Sequence, residues 1–299
     1  MGLDGEMMQS TRGMQSAAVA GVIEALLLVA LVAIVISMVQ LVYVPEMMQQ
    51  KEADHMDGVF NQFSALKSMV DMQAMSRSTA PISSMLTLGS SKLPYFLTVP
   101  AQGQVMFSNE SSSYISIFPQ PGGFPVSGLR LTSIVYQSSN AYFVDQTYAL
   151  EGGGVIIQQP GSDSVMRADP SIAAVNATSS RIDVYLDIPV FLPVAEKTST
   201  GGEGKCYVRT NFSSNQSFVG DLPRSPPTCY LRIYSKYDKA WNQTLHNTLG
   251  VYDKNGCLSI TWHAGSPTGY VEVKPGSKDV RVHLDVMYFF VQIGPGWVE

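Results

Sequence analysis

The residues of this sequence able to do chemistry are few and widely scattered. The four histidines are His55, His246, His263 and His283. None has a second ligand at metal spacing, such as a helical HxxxH or a CxxC partner. In "VHLDV", His283 and Asp285 share one face of an alternating segment and read as a solvent-facing surface pair. A Gly-x-Ser-x-Gly elbow is missing, and "GSKDV" and "EGGGVI" lack the Lys-Ser/Thr ending of a phosphate loop. Cys206, Cys229 and Cys257 carry no sequence sign of an activated thiolate. In an oxidising compartment two of the three can pair, and the sequence leaves all three pairings open. The expectation is a protein that is not an enzyme and has no catalytic residues, no cofactor and no metal.

One acid stands apart. Between residues 17 and 44 the only acidic or basic side chain is Glu24. The surrounding run, "GVIEALLLVALVAIVISMVQLVYV", exceeds the roughly 20 residues that cross a bilayer core. It is apolar on every face, unlike a buried amphipathic helix, and longer than the core of a cleavable secretory signal. An ionised carboxylate within hydrocarbon costs about 2.5 kcal/mol or more, so Glu24 needs a partner or a shallow place near the headgroups. Ala17, Ala18, Ala20, Gly21 and Ala25 allow close helix contact around it.

The elements that position these residues change character near residue 80. After Pro45, Met56, Phe60, Phe63, Leu66, Val70 and Gln73 follow helical spacing, with Asp54, Asp57, Gln62, Lys67 and Asp71 off the stripe. Pro45 starts or kinks this segment, and Pro81 ends it. Beyond it, "RIDVYLDI" and "DVRVHLDV" alternate as strands, "YFVDQTYALEGGGVIIQQ" reads as a hairpin, and "VEVKPGSKDVRV" reads as another. Tyr237, Trp241, Leu245 and Leu249 mark one short helix, with Gly250 as its C-terminal cap. The fold class is α+β: a long membrane-spanning N-terminal helix and stem, then an antiparallel β-sandwich-like head with one short helix. Twelve of the fifteen methionines fall before residue 86, suiting irregular helix packing. Only 14% of residues are charged and the net charge is -5, so no nucleic-acid footprint is expected.

Topology follows from the far side of the run. Five Asn-X-Ser/Thr acceptors, Asn109, Asn176, Asn211, Asn215 and Asn242, all lie beyond it, as do all three cysteines. Basic residues do not decide the matter: Arg12 precedes the run and Lys51, Lys67 and Arg77 follow. The expectation is a single-pass membrane protein with its N-terminus in the cytoplasm and a glycosylated extracellular β domain.

The stretch "TRGMQSAAVAGVIEALLLVALVAIV" resembles the start of archaeal type IV pilins and archaellin-like proteins. The resemblance covers residues 8–80 in architecture and about 143–170, "YALEGGGVIIQQPGSDSVMRADP", in wording. It implies a prepilin peptidase as a partner, cutting after Arg12–Gly13 and leaving Met14 first, with Gly21 as an alternative cut. It divides the chain into a leader (1–13), a transmembrane and filament-core helix (14–44), a helical stem (45–80) and a β-rich head (81–299). After a cut at Gly13, Glu24 does not fall where the assembly acid of bacterial type IV pilins stands, so that role is not carried over. The implied function is a structural subunit of a cell-surface filament, a homo-oligomer joined through N-terminal helices. The alternative is a non-polymerising membrane-anchored surface glycoprotein whose head serves binding or envelope structure. In the filament reading the head rests on part of the stem, whereas Val42, Val44, Met47 and Met48 seek neighbouring subunits.

Overall fold

The computed structural model describes residues 4–90, 100–194, 198–225, 228–265 and 268–294, with side chains from Ala20 onward. One uninterrupted helical rod opens the chain: α1 (Asp4–Met38), a π-helical turn (Val39–Tyr43) and α2 (Val44–Ser76). The π turn has a local cause. Pro45 has no N–H and its ring crowds the carbonyl four residues back, so a widened turn lets the helix pass through without breaking. The Val44 N–H accordingly reaches the Val39 carbonyl, five residues back. At the other end Arg77 takes a left-handed conformation (φ 50°), and the Ser78 N–H caps the Gln73 carbonyl.

The head follows as β1 (Ile82–Thr87), β2 (Gln102–Ser108), β3 (Tyr114–Phe118), β4 (Leu129–Arg130), β5 (Ser133–Ser139), β6 (Thr147–Glu151), β7 (Gly154–Gln158) and β8 (Val165–Ala168). It continues through β9 (Ser171–Thr178), β10 (Arg181–Pro193), β11 (Ser199–Gly202), β12 (Lys205–Leu222) and β13 (Tyr230–Ser235). Then come α3 (Asp238–Lys254), β14 (Leu258–His263), β15 (Gly269–Pro275) and β16 (Asp279–Gly294). Among the described residues three sheets form, in the orders β1-β12-β16-β10-β9, β11-β2-β5-β6-β7-β8 and β14-β15-β13-β3-β4.

Several expectations need correction. The head is not purely antiparallel, because β10 runs parallel to β16 in register Ile182↔Val280 through Leu192↔Phe290. Both strands carry the alternation read from sequence, and burying Ile182, Val184, Leu186 and Ile188 beside Val280, Val282, Leu284 and Val286 places them side by side in one core. The Pro275–Gly276 segment is not a hairpin turn. It carries the chain from the third sheet into the first. Gly250 is not a cap either: α3 continues to Lys254, and Gly256 at φ +63° follows its end. The β6–β7 hairpin is as expected, turning on Gly152 (φ +56°) and Gly153 (φ +83°).

The described residues of the head form two large apolar cores. One, around Trp241, Leu245 and Leu249, is covered by α3. The other is covered by α2, whose Met56, Val59, Phe63, Leu66 and Val70 pack against Tyr136, Tyr148, Val208 and Phe289. The buried face of α2 runs Met48, Glu52, Met56, Val59, Phe63, Leu66, Val70 and Gln73. Val59 therefore takes the place on the stripe expected for Phe60, which is partly buried at its edge.

Candidate functional site at the junction of helix and head

Helical spacing that buries Met48 and Met56 necessarily buries the residue between them, and that residue is Glu52. Its side chain is fully buried. Its carboxylate accepts three backbone N–H groups from the loop between β5 and β6: Ala141 at 3.1 Å, Tyr142 at 2.8 Å and Phe143 at 2.7 Å. A buried carboxylate is tolerated only when its lone pairs are occupied, and here charge-assisted bonds occupy them. The loop is tied within itself as well. The Asn140 N–H donates to Asp145 at 2.6 Å, and Asn140 Nδ2 donates to the Val144 carbonyl at 2.9 Å. Tyr142 then packs against Val44 and Met48, as Val39 does. The head thus reaches further down the helix than the sequence suggests: Val44 and Met48 are covered, while Val42 and Met47 stay exposed.

Further polar contacts join α2 to the sheets. Tyr148 Oη donates to the Met56 carbonyl at 3.0 Å. The Thr87 N–H donates to Gln62 Oε1 at 2.9 Å. Gln73 Nε2 donates to the carbonyls of Ala80 and Thr210 at 2.9 Å, and Thr210 Oγ1 returns a bond to Gln73 Oε1 at 2.8 Å. None of these partners is adjacent in sequence, so the register of α2 on the head is set at both ends.

Below the junction the described side chains of α1, from Ala20 onward, lie free of the head. From Ala20 to Met38 every residue is exposed, and this helix is long and apolar enough to cross a membrane. Glu24 lies on it, exposed, beside Gly21 and Ala25. Arg12, Gly13 and Met14 fall in the first part of α1, where side chains lie outside the described residues.

The other singled-out residues spread over the head. Asn109, Asn176 and Asn215 are exposed, whereas Asn211 and Asn242 are half-buried. Thr244, which completes the Asn242 acceptor, is buried and donates to Asp169 at 2.8 Å. No disulfide joins Cys206, Cys229 and Cys257. Cys206 sits in the core under α2, and its thiol is pushed up to about 12 by burial. Cys229 and Cys257 belong to the other core and precede β13 and β14, which flank β15. Two strand spacings amount to roughly 10 Å, beyond the reach of a disulfide. His283 is not paired with Asp285. Its ring stacks on Tyr185 with centroids 4.5 Å apart, and Nε2 faces Asp183 at 3.4 Å, because β10 is its neighbour across the parallel pair.

A cleft of about 590 Å³ between the end of α2 and the first sheet is lined by Asp71, Asp187 and Asp285. Lys67 pairs with Asp71 at 2.6 Å and Ser171 donates to Asp187 at 2.8 Å. Among the described residues no group of three or more His, Cys, Asp or Glu is arranged to hold a metal ion. On the third sheet Tyr114, Tyr234, Tyr270 and His263 stack across strands at 4.4–4.8 Å. These rings cover one another's faces, which is cross-strand packing.

Comparisons with family models, with curated proteins and with solved structures find no match to this chain. Sequence reasoning missed Glu52 because an acid on a charged stem reads as a solvated face. The available signal was its spacing of four from both Met48 and Met56.

Proposed function

We propose that the protein is a structural subunit of a type IV pilin-like cell-surface filament, assembled through the apolar half of its N-terminal helix, with the head outside the cell. The observation that carries this reading is the continuity of the rod. A helix with no break from Asp4 to Ser76 joins a bare apolar half to a half locked onto the head. A tether for a freely displayed head needs no such stiffness. A filament does, because packing the helices in a regular array then fixes the position of every head. Gly21 and Ala25 permit close approach of helices beside Glu24, which in a packed core would need a partner from another copy. A prepilin peptidase acting after Gly13 belongs to the same reading.

A second reading, the non-polymerising membrane-anchored glycoprotein, is favoured by one specific contact. Tyr142 covers Val44 and Met48, so the apolar length left bare is close to one bilayer crossing. Mechanical shearing of intact cells separates the two. In the filament reading the chain leaves with the sheared fibres, beginning at Met14 or Val22 by N-terminal sequencing. Retention of all of it in the membrane, with Met1 intact, overturns the filament and its processing and leaves the anchor.

A further inference from the structure

We infer that the loop of residues 140–146 is a membrane-contact surface that seats the head in the headgroup layer of a lipid bilayer. This rests on the reading that the bare half of the helix is embedded. The first support is depth. Residues 17–44 extend about 42 Å along a helix, close to the 40–45 Å of a bilayer with its interfacial layers. The last turn of that run therefore lies among headgroups. Val44 ends that run, and Tyr142 packs against the cluster that Val44 forms with Met48, so the loop shares its depth.

The second support is how the loop treats its own backbone. An exposed loop in water has no need to commit a carboxylate to its N–H groups, since solvent satisfies them. Here consecutive N–H groups from Asn140 to Phe143 end on Asp145 or Glu52, and the Val144 carbonyl is taken by Asn140. N–H groups satisfied in this way enter a layer poor in water at a lower penalty. The third support is composition. Tyr43, Tyr142 and Phe143 supply amphipathic and aromatic rings, and Val144, Val42 and Leu41 are exposed beside them. Residues 39–50 and 138–146 contain no Lys or Arg, and their only charges are Glu46 and Asp145. The partner is thus the interface itself, met by rings and aliphatic groups, rather than anionic headgroups met by cations.

The test uses the full chain with Cys257→Ser, in which Cys206 and Cys229 are buried. An environment-sensitive fluorophore is placed at Val144→Cys, with Ala141→Cys as a second reporter, and the protein is reconstituted in phosphatidylcholine vesicles. Val29→Cys reports the embedded helix and Val251→Cys on α3 reports the exposed head. The Val144 emission should shift to the blue. A nitroxide near the headgroup should quench it more than one at the acyl-chain end, and added anionic lipid should change nothing. The Val29 label should be quenched most from the chain end. If the labels at positions 144 and 141 behave like that at 251 while position 29 is quenched, the inference fails and the embedded helix stands. If position 29 also escapes quenching, the underlying reading fails with it. Protection that grows with protein-to-lipid ratio identifies another copy as the occupant and overturns the lipid contact.

Discussion

The two halves of the N-terminal rod are made of the same backbone and meet opposite fates. Residues 20–38 expose every side chain, whereas α2 hides one full stripe from Val44 to Gln73 beneath the head. The difference lies in patterning. The first half is apolar all round, so no single face can be satisfied by one neighbour, and it must be surrounded by lipid or by other helices. The second half is apolar at three- and four-residue steps, and a sheet surface satisfies that stripe alone. The polar positions on the stripe, Glu52 and Gln73, carry the bonds that fix its register.

The largest expected break in this comparison is a charge on each half. Phe63→Asp places a carboxylate in the core under α2 and should destabilise the head by at least about 4 kcal/mol in thermal melts. Ile34→Asp, on the bare half, should leave the melt unchanged and abolish membrane retention or assembly. A melt equally sensitive to both would erase the distinction.

Next in size is Glu52. Replacement by Ala strands three N–H groups and should cost about 2–4 kcal/mol by denaturant unfolding. Gln retains an acceptor oxygen, so Glu52→Gln should recover part of that loss. Equal effects of Ala and Gln would mean that the contact is packing rather than hydrogen bonding.

The head interior supplies a control remote from the rod. Glu151 is buried at the β6–β7 turn, where Ser235 Oγ donates to it at 2.6 Å and Trp241 Nε1 at 2.9 Å. Burial raises its pKa, and those two hydrogen bonds oppose the rise only in part. The unfolded chain releases this proton at the ordinary carboxylate value while the folded head still holds it. Stability from this group should therefore be full below that value and fall as pH rises toward the folded one. Glu151→Gln should flatten this slope in pH-dependent melts without changing the accessibility of α2. A wild-type slope that survives the substitution would assign it to another group.

The smallest effect is the most selective. A Cβ at Gly58 or Gly21 meets nothing within 4 Å. Gly58→Ala should stabilise the head by about 0.5–1 kcal/mol, and Gly21→Ala should leave its melting untouched.

Much of this was legible in the sequence, and the misses have physical causes. The apolar run, the stripe and the alternating strands follow from periodicity, which local sequence encodes directly. The parallel pairing of β10 with β16 does not, because Val280 and Val282 fit either direction equally well. Pro275–Gly276 has the chemistry of a turn, yet a turn does not say whether the chain returns to the same sheet. α3 runs past Gly250 to Lys254, and in that last turn Tyr252 Oη donates to the Ala174 carbonyl at 3.1 Å, a tertiary contact beyond the reach of helix propensity. Glu52 was hidden for the same reason: its partners lie about ninety residues away.

The central claim is that the rod changes environment at Val44. Single-cysteine scanning from residue 20 to 76 in native membranes, read by a membrane-impermeant thiol reagent, tests it most directly. The account predicts uniform protection below residue 38, then periodic reactivity along α2 with minima at Met56, Val59, Phe63, Leu66 and Val70. Helical periodicity in reagent access below residue 38, or uniform reactivity along α2, would contradict it.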